Sequence, residues 1–233
     1  MPYRRLPNTD NARIKALKIA IEKKESSAGM GILAFDTQNL KVMLRNFENA
    51  QTLYKESLAK QAAENRKFQN KIKNARLYVS HFIQVLNLCV IRNEIKKETK
   101  TLYNLAPDNF AVPDLTSNDA LITWGENIIK GEQERLRQGG VPIYNPTMAR
   151  VNVAFSMFKE AYFAQKTYQN TTTRQLDTVS QQREAIDKTL AMIWNQIEAA
   201  FSDLPYPQRL EKCKEFGVVY YLRKGEKYPE PEK

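Results

Sequence analysis

Glycine and proline are missing from Ile32 through Ala106, 75 consecutive residues, and again from Thr147 through Leu204, 58 residues. Glycine weakens a helix through backbone entropy, and proline removes a hydrogen bond and clashes with the preceding turn. Their absence over such spans predicts a helical protein. Histidine is almost absent as well, with His81 alone, and Cys89 and Cys213 are the two cysteines. One histidine without a cysteine pair excludes the usual zinc constellations, and no Glu-x-x-His pair is present for a di-iron bundle. A Gly-x-Ser-x-Gly elbow, a phosphate-cradling Gly-Lys-Ser/Thr loop and a Gly-x-Gly-x-x-Gly fingerprint are also lacking. The expectation is therefore no cofactor, no metal, no catalytic residue and no enzymatic activity. His81, beside an apolar seam, reads as structural. The cysteines stand far apart in unlike contexts, so a disulfide framework is not supported, though a single bridge stays open. Cys89, within the apolar run Val85–Ile91, reads as a small buried side chain. Residues 1–8 have no apolar run of signal-peptide type, and no stretch approaches the roughly 18 to 20 apolar residues of a membrane span. A cytoplasmic location is expected.

What is present is ordinary in amount and uneven in arrangement. Hydrophobic residues make up 42% and charged residues 27%, as in a globular protein. The net charge of +10 is not shared equally. Residues 1–105 hold 20 Lys and Arg against 9 Asp and Glu, hence +11, while residues 106–233 hold 16 against 17, hence −1. Attraction to an anion would come from the first half.

Thr9 is placed to cap a first helix that runs to about Glu25, because Ile14, Leu17, Ala20 and Ile21 recur at helical spacing. Gly29 and Gly31 then break it. From about Asp36 a seam in alternating steps of three and four runs from Leu44 and Phe47 to Leu86 and Cys89. It is apolar or aromatic except around its middle, at Gln51, Gln61 and Asn65. One uninterrupted helix of this length would measure ~90 Å. Helices average about 11 to 12 residues, so the reading favours two antiparallel helices that turn in Gln61–Asn74. A single long helix is the alternative.

The pattern then restarts. Thr116–Asp119 opens a short helix with Leu121, Trp124 and Ile128 on its stripe, and Gly139–Gly140 breaks it. Asn145 and Pro146 are an N-cap and a first helical residue. Adding 111 to the first seam's positions gives a second seam, from Phe155 and Phe158 to Ile193 and Ile197, again polar in the middle. Asn170–Thr173 is its expected turn, because β-branched and short polar residues resist helix. The fold class is thus all-α: two related helical bundles from an internal duplication, each with one short and two long antiparallel helices, elongated overall. The boundaries are 1–106 for a basic first bundle, 107–116 for a connector, 117–204 for the second bundle, and 205–233 for a short helix and an extended tail. In that tail Pro207–Phe216 is helical, and Val218–Leu222 has strand composition but stands alone. Residues 224–233 are expected to end in disorder.

The densest basic group is Arg66, Lys67, Lys71, Lys73 and Arg76, with Lys96, Lys97 and Lys100 as a second group. The first reading of such a group is a solvated helix surface; the alternative makes these eight the candidate anion-binding residues, for nucleic acid or an acidic partner, nucleic acid ranking above a membrane surface. Interspersed glutamates and the lack of a recognised motif argue against a dedicated nucleic-acid module. Phe68 fits the seam better than a stacking platform. The stretch from Trp124 to Pro146, with paired glycines and Tyr144, reads first as closing the bundle end and tying the short helix to the long one, with a pocket or partner surface as the alternative, and Trp124 is most simply core. Weighed together, these features favour a non-enzymatic interaction or scaffold protein, with a protein partner or a homo-oligomeric state. An anion binder is the runner-up.

Overall fold

Each long glycine- and proline-free span carries one long, unbroken α-helix. The computed structural model describes residues 3–26, 34–222 and 224–225. Among the described residues five α-helices follow one another: α1 (Asp10–Ser26), α2 (Thr37–Ile91), α3 (Asn118–Arg137), α4 (Met148–Ala200) and α5 (Tyr206–Glu215). A 3₁₀ helix, Lys97–Tyr103, lies between α2 and α3, and two-residue strands β1 (Tyr3–Arg4) and β2 (Tyr220–Tyr221) pair antiparallel. The segment after α5 therefore does not stand alone: it closes onto the start of the chain, where the Arg5 N–H also donates to the Val219 carbonyl. The break expected at Gly29 and Gly31 and the disorder expected at the very end fall outside the described residues.

The hairpins expected within the long spans are not there. Residues 61–74 and 170–173 are helical throughout. The seam itself is placed as the sequence predicts: Phe47, Phe68, Ile72, Ala75, Val79 and Phe82 are buried on α2. Its polar centre is helical and unevenly covered instead of turned: Gln51, Gln165 and Thr172 are buried, while Leu58, Asn65, Gln169 and Leu176 are exposed. Asn145 and Pro146 do not open α4. Thr147 precedes its first residue and its Oγ1 accepts from the Arg150 N–H at 3.4 Å. Thr9 and Ser117 do cap their helices, accepting from the Ala12 and Ala120 N–H groups at 3.2 and 3.1 Å. Helix α5 ends as expected, with Gly217 at φ +87° and the Val218 N–H returning to the Cys213 carbonyl.

The chain divides into two compact units, Met1–Ser57 with Thr172–Lys233, and Leu58–Thr171. These units do not follow the boundaries expected from sequence, because each takes the first part of one long helix and the last part of the other. In the first unit Leu17 of α1, Phe47 of α2, Ile186, Leu190 and Trp194 of α4, and Cys213 of α5 share one core. Arg13 of α1 and Arg183 of α4 add bidentate pairs, to Asp187 and Asp10. In the second unit Phe82 of α2, Tyr103 of the 3₁₀ helix, Leu121 and Ile128 of α3, and Phe155 and Phe158 of α4 form the core. Phe68 belongs to it, stacked on Phe158 at 6.1 Å between centroids, and Trp124 packs against it half-buried. Both cysteines are free.

Candidate functional site

The second unit holds a surface groove and a cavity. The groove forms where α4 carries more apolar side chains than its seam requires. Val151, Phe155, Phe158 and Tyr162 occupy the seam and are buried. Ala149, Val153 and Met157 lie at i, i+4 and i+8 on another stripe, and Val153 and Met157 stay 60% and 49% exposed. Tyr78, Asn74 and Lys71 on α2 form the other wall, and Arg150 and Ala154 complete a groove of about 390 Å³. Its lining holds two cations and no carboxylate.

The eight basic residues singled out from sequence are not brought together into one patch. Arg76 is tied down, donating from Nε and an Nη to the Leu115 and Thr116 carbonyls at 2.9 and 2.8 Å. Lys100 is fully buried, donates to the Asn109 carbonyl at 2.5 Å and lies over the Phe110 ring. Burial pushes its pKa below the ordinary lysine value, partly opposed by Asp108. Both residues are structural anchors and not available to an anion. Lys67 pairs with Glu64 and Lys97 with Asp108, each at 2.8 Å on the surface. Arg66, Lys71, Lys73 and Lys96 make no hydrogen bond or ion pair among the described residues. Of these, Lys71 lines the groove and Lys96 lines the cavity.

The cavity, about 930 Å³, lies beside the C-terminal ends of α2 and α3 and is walled by the Gly139–Asn145 segment. Of the two readings of Trp124–Pro146, the paired glycines, Pro142 and Tyr144 thus shape a pocket, and Trp124 does not line it. Arg135 in that wall belongs to a buried polar triad with Tyr103 and Glu132. The Tyr103 hydroxyl donates to Glu132 Oε2 at 2.5 Å, and Arg135 forks onto Glu132 through Nε at 2.9 Å and Nη2 at 2.7 Å. Arg135 also reaches the Tyr103 oxygen and the Val141 carbonyl, each at 2.8 Å. Burial, reinforced by Glu132, pushes the Tyr103 phenol far above its ordinary pKa. Burial works against the Arg135 charge, but Glu132 and Tyr103 outweigh it and hold the guanidinium pKa above its usual value. Cys89 is half-buried and lines the cavity, and burial together with Glu94 raises its thiol pKa, which keeps it protonated and weakly nucleophilic.

Both features left signals that the sequence reading passed over. The apolar stripe at 149, 153 and 157 lies off the α4 seam and so had no partner to bury it. On α3 the positions 121, 125, 128, 132 and 135 continue one seam in steps of four and three. Its last two members are a glutamate and an arginine, which marks a buried ion pair. Among the described residues no cluster of three His, Cys, Asp or Glu is placed to hold a metal, and no helix is long and apolar enough to cross a membrane. Comparison with family models, with curated proteins and with solved structures finds no match to this chain.

Proposed function

We propose that this chain is a non-enzymatic helical interaction protein, and that its partner is another protein presenting an amphipathic helix with acidic flanks. The groove of Tyr78, Ala149, Val153 and Met157 supports this reading, because two large apolar side chains stay exposed beside cations. Burying Val153 and Met157 under a partner would contribute about 1.5–3 kcal/mol each. Such a groove takes a helix through anchors at i, i+3, i+4 and i+7. Charge selects the flanks: residues 58–91 of α2 hold six Lys and Arg (Lys60, Arg66, Lys67, Lys71, Lys73, Arg76) against one Glu64, a difference of +5. The same reading includes the internal duplication. Its support is the matching content of the two units: a capped short helix, the first part of one long helix and the last part of the other, with seams in the same phase.

The test is a fluorescence titration with two designed helical peptides that share leucine anchors and differ only in Glu or Lys flanks. Binding of the Glu-flanked peptide alone, weakened but not abolished by added salt, is the expected result. Equal binding of both peptides, or of neither, would overturn the reading. The runner-up, nucleic-acid binding by the same basic stretch, rests on that six-to-one charge. Oligonucleotide binding that survives moderate salt, without peptide binding, would put it first. Sedimentation of the free protein separates a second copy as occupant: a dimer that Met157→Glu dissociates would place this chain itself in the groove.

A further inference from the structure

We propose that the cavity at the ends of α2 and α3 binds a small organic monoanion, a carboxylic acid with an apolar or aromatic body. At about 930 Å³ the space is at the upper end of small-molecule sites. Three cations line it, Arg92, Lys96 and Arg135, against one carboxylate, Glu94. Basic residues near helix C-termini balance the helix dipole, so their presence alone would not imply a ligand. The Arg135 guanidinium does. It is 5% exposed, its Nε and Nη2 are committed to Glu132, Tyr103 and the Val141 carbonyl, and its Nη1 makes no hydrogen bond among the described residues. A nearly buried charged donor with spare N–H groups, in the wall of a cavity, is completed by an acceptor oxygen.

The same wall sets the charge and body of the ligand. Phosphate sites use free backbone N–H groups at a helix N-terminus. Here the Gly139 and Gly140 N–H groups already return to the Leu136 and Arg135 carbonyls, and the two α-helices that end beside the cavity, α2 and α3, do so at their C-termini, while the 3₁₀ helix that begins there at Lys97 has only seven residues. Negative helix-end potential and Glu94 both disfavour a dianion. One carboxylate suffices for Arg135 Nη1 and Lys96, with Arg92 only loosely held by Glu94 at 3.9 Å. Val85, Ile95, Val141, Pro142 and Ile143 give the remaining walls an apolar surface for the body of the ligand.

Cys89 supplies a reporter inside the cavity, since the other cysteine, Cys213, is fully buried in the first unit. The experiment follows alkylation of Cys89 by iodoacetamide in the whole protein, resolved from Cys213 by peptide mass. The added probes are 3-phenylpropionate and its uncharged amide. Saturable slowing by the carboxylate and not by the amide is expected. Arg92→Ala and Lys96→Ala change exposed side chains, and each should weaken the protection about tenfold. Circular dichroism checks that both variants stay folded. No slowing at millimolar carboxylate, equal slowing by the amide, or undiminished protection in both variants would each overturn the proposal.

Discussion

Glu132 and Arg135 show how a buried charge pair makes a structure brittle at single positions. Both are almost without solvent contact, so Glu132→Gln leaves a guanidinium in the interior with a neutral partner. The expected loss is about 3–5 kcal/mol in urea unfolding, whereas Tyr103→Phe, which removes one hydroxyl, should cost about 1–2 kcal/mol. Gly131 stands where α3 meets the 3₁₀ helix: an added Cβ would lie 2.5 Å from the Tyr103 ring and 2.7 Å from the Leu102 carbonyl oxygen. The ~1 kcal/mol that alanine gains in helix propensity is outweighed, and Gly131→Ala should destabilise by about 2 kcal/mol. In the first unit, the hydrogen bonds from Arg183 hold the Asp10 carboxyl below its ordinary pKa against the opposing effect of burial. A depressed carboxylate pKa contributes stability above the unfolded value, near ~3.9, that is lost as pH falls through the folded value. The urea midpoint should therefore drop below about pH 4. Asp10→Asn should remove about 1 kcal/mol at neutral pH, since Arg183 is partly screened by water, and flatten that acid limb.

Helices α2 and α4 were legible in their seam and illegible in their continuity. The steps of three and four place Phe47, Phe82, Phe158 and Ile193 inward, and the structure buries all four. Continuity was hidden because a polar centre and a threonine run look the same in a turn and on an exposed helix. Thr167 and Thr171 resolve the matter by donating their hydroxyls to carbonyls four residues back, at 3.1 and 2.9 Å, so the side chains join the helix instead of competing with it. The 3₁₀ helix, which delivers Tyr103 to α3, was missed because its burial depends on Glu132 and Arg135, about thirty residues later. The cap at Thr9 and the opening of α3 within Thr116–Asp119 were legible because a helix start is a local event. Ala62→Pro tests continuity: in an exposed helical turn it should cost about 3 kcal/mol or more and lower the melting temperature. Unchanged melting would mean that residues 61–74 turn after all.

At the scale of the whole molecule, the features with functional reach gather in Leu58–Thr171, the unit holding the basic part of α2, the groove and the cavity. Sequence located the basic stretch but not its use. Arg76 and Lys100 serve carbonyls of their own unit, and Lys71 stands beside an apolar stripe contributed by α4, far away along the chain. That pairing of charge with exposed Val153 and Met157 is the central claim, and the methionine methyl groups read it directly. The chain has six methionines, and Met157 in the second unit and Met192 in the first are both about half exposed. In a methyl-labelled spectrum, the Glu-flanked peptide should shift the Met157 resonance progressively and leave Met192 in place, and Val153→Glu should abolish the shift without lowering the melting temperature. A peptide that binds while Met157 stays unmoved, or that moves both methyls alike, would contradict the account.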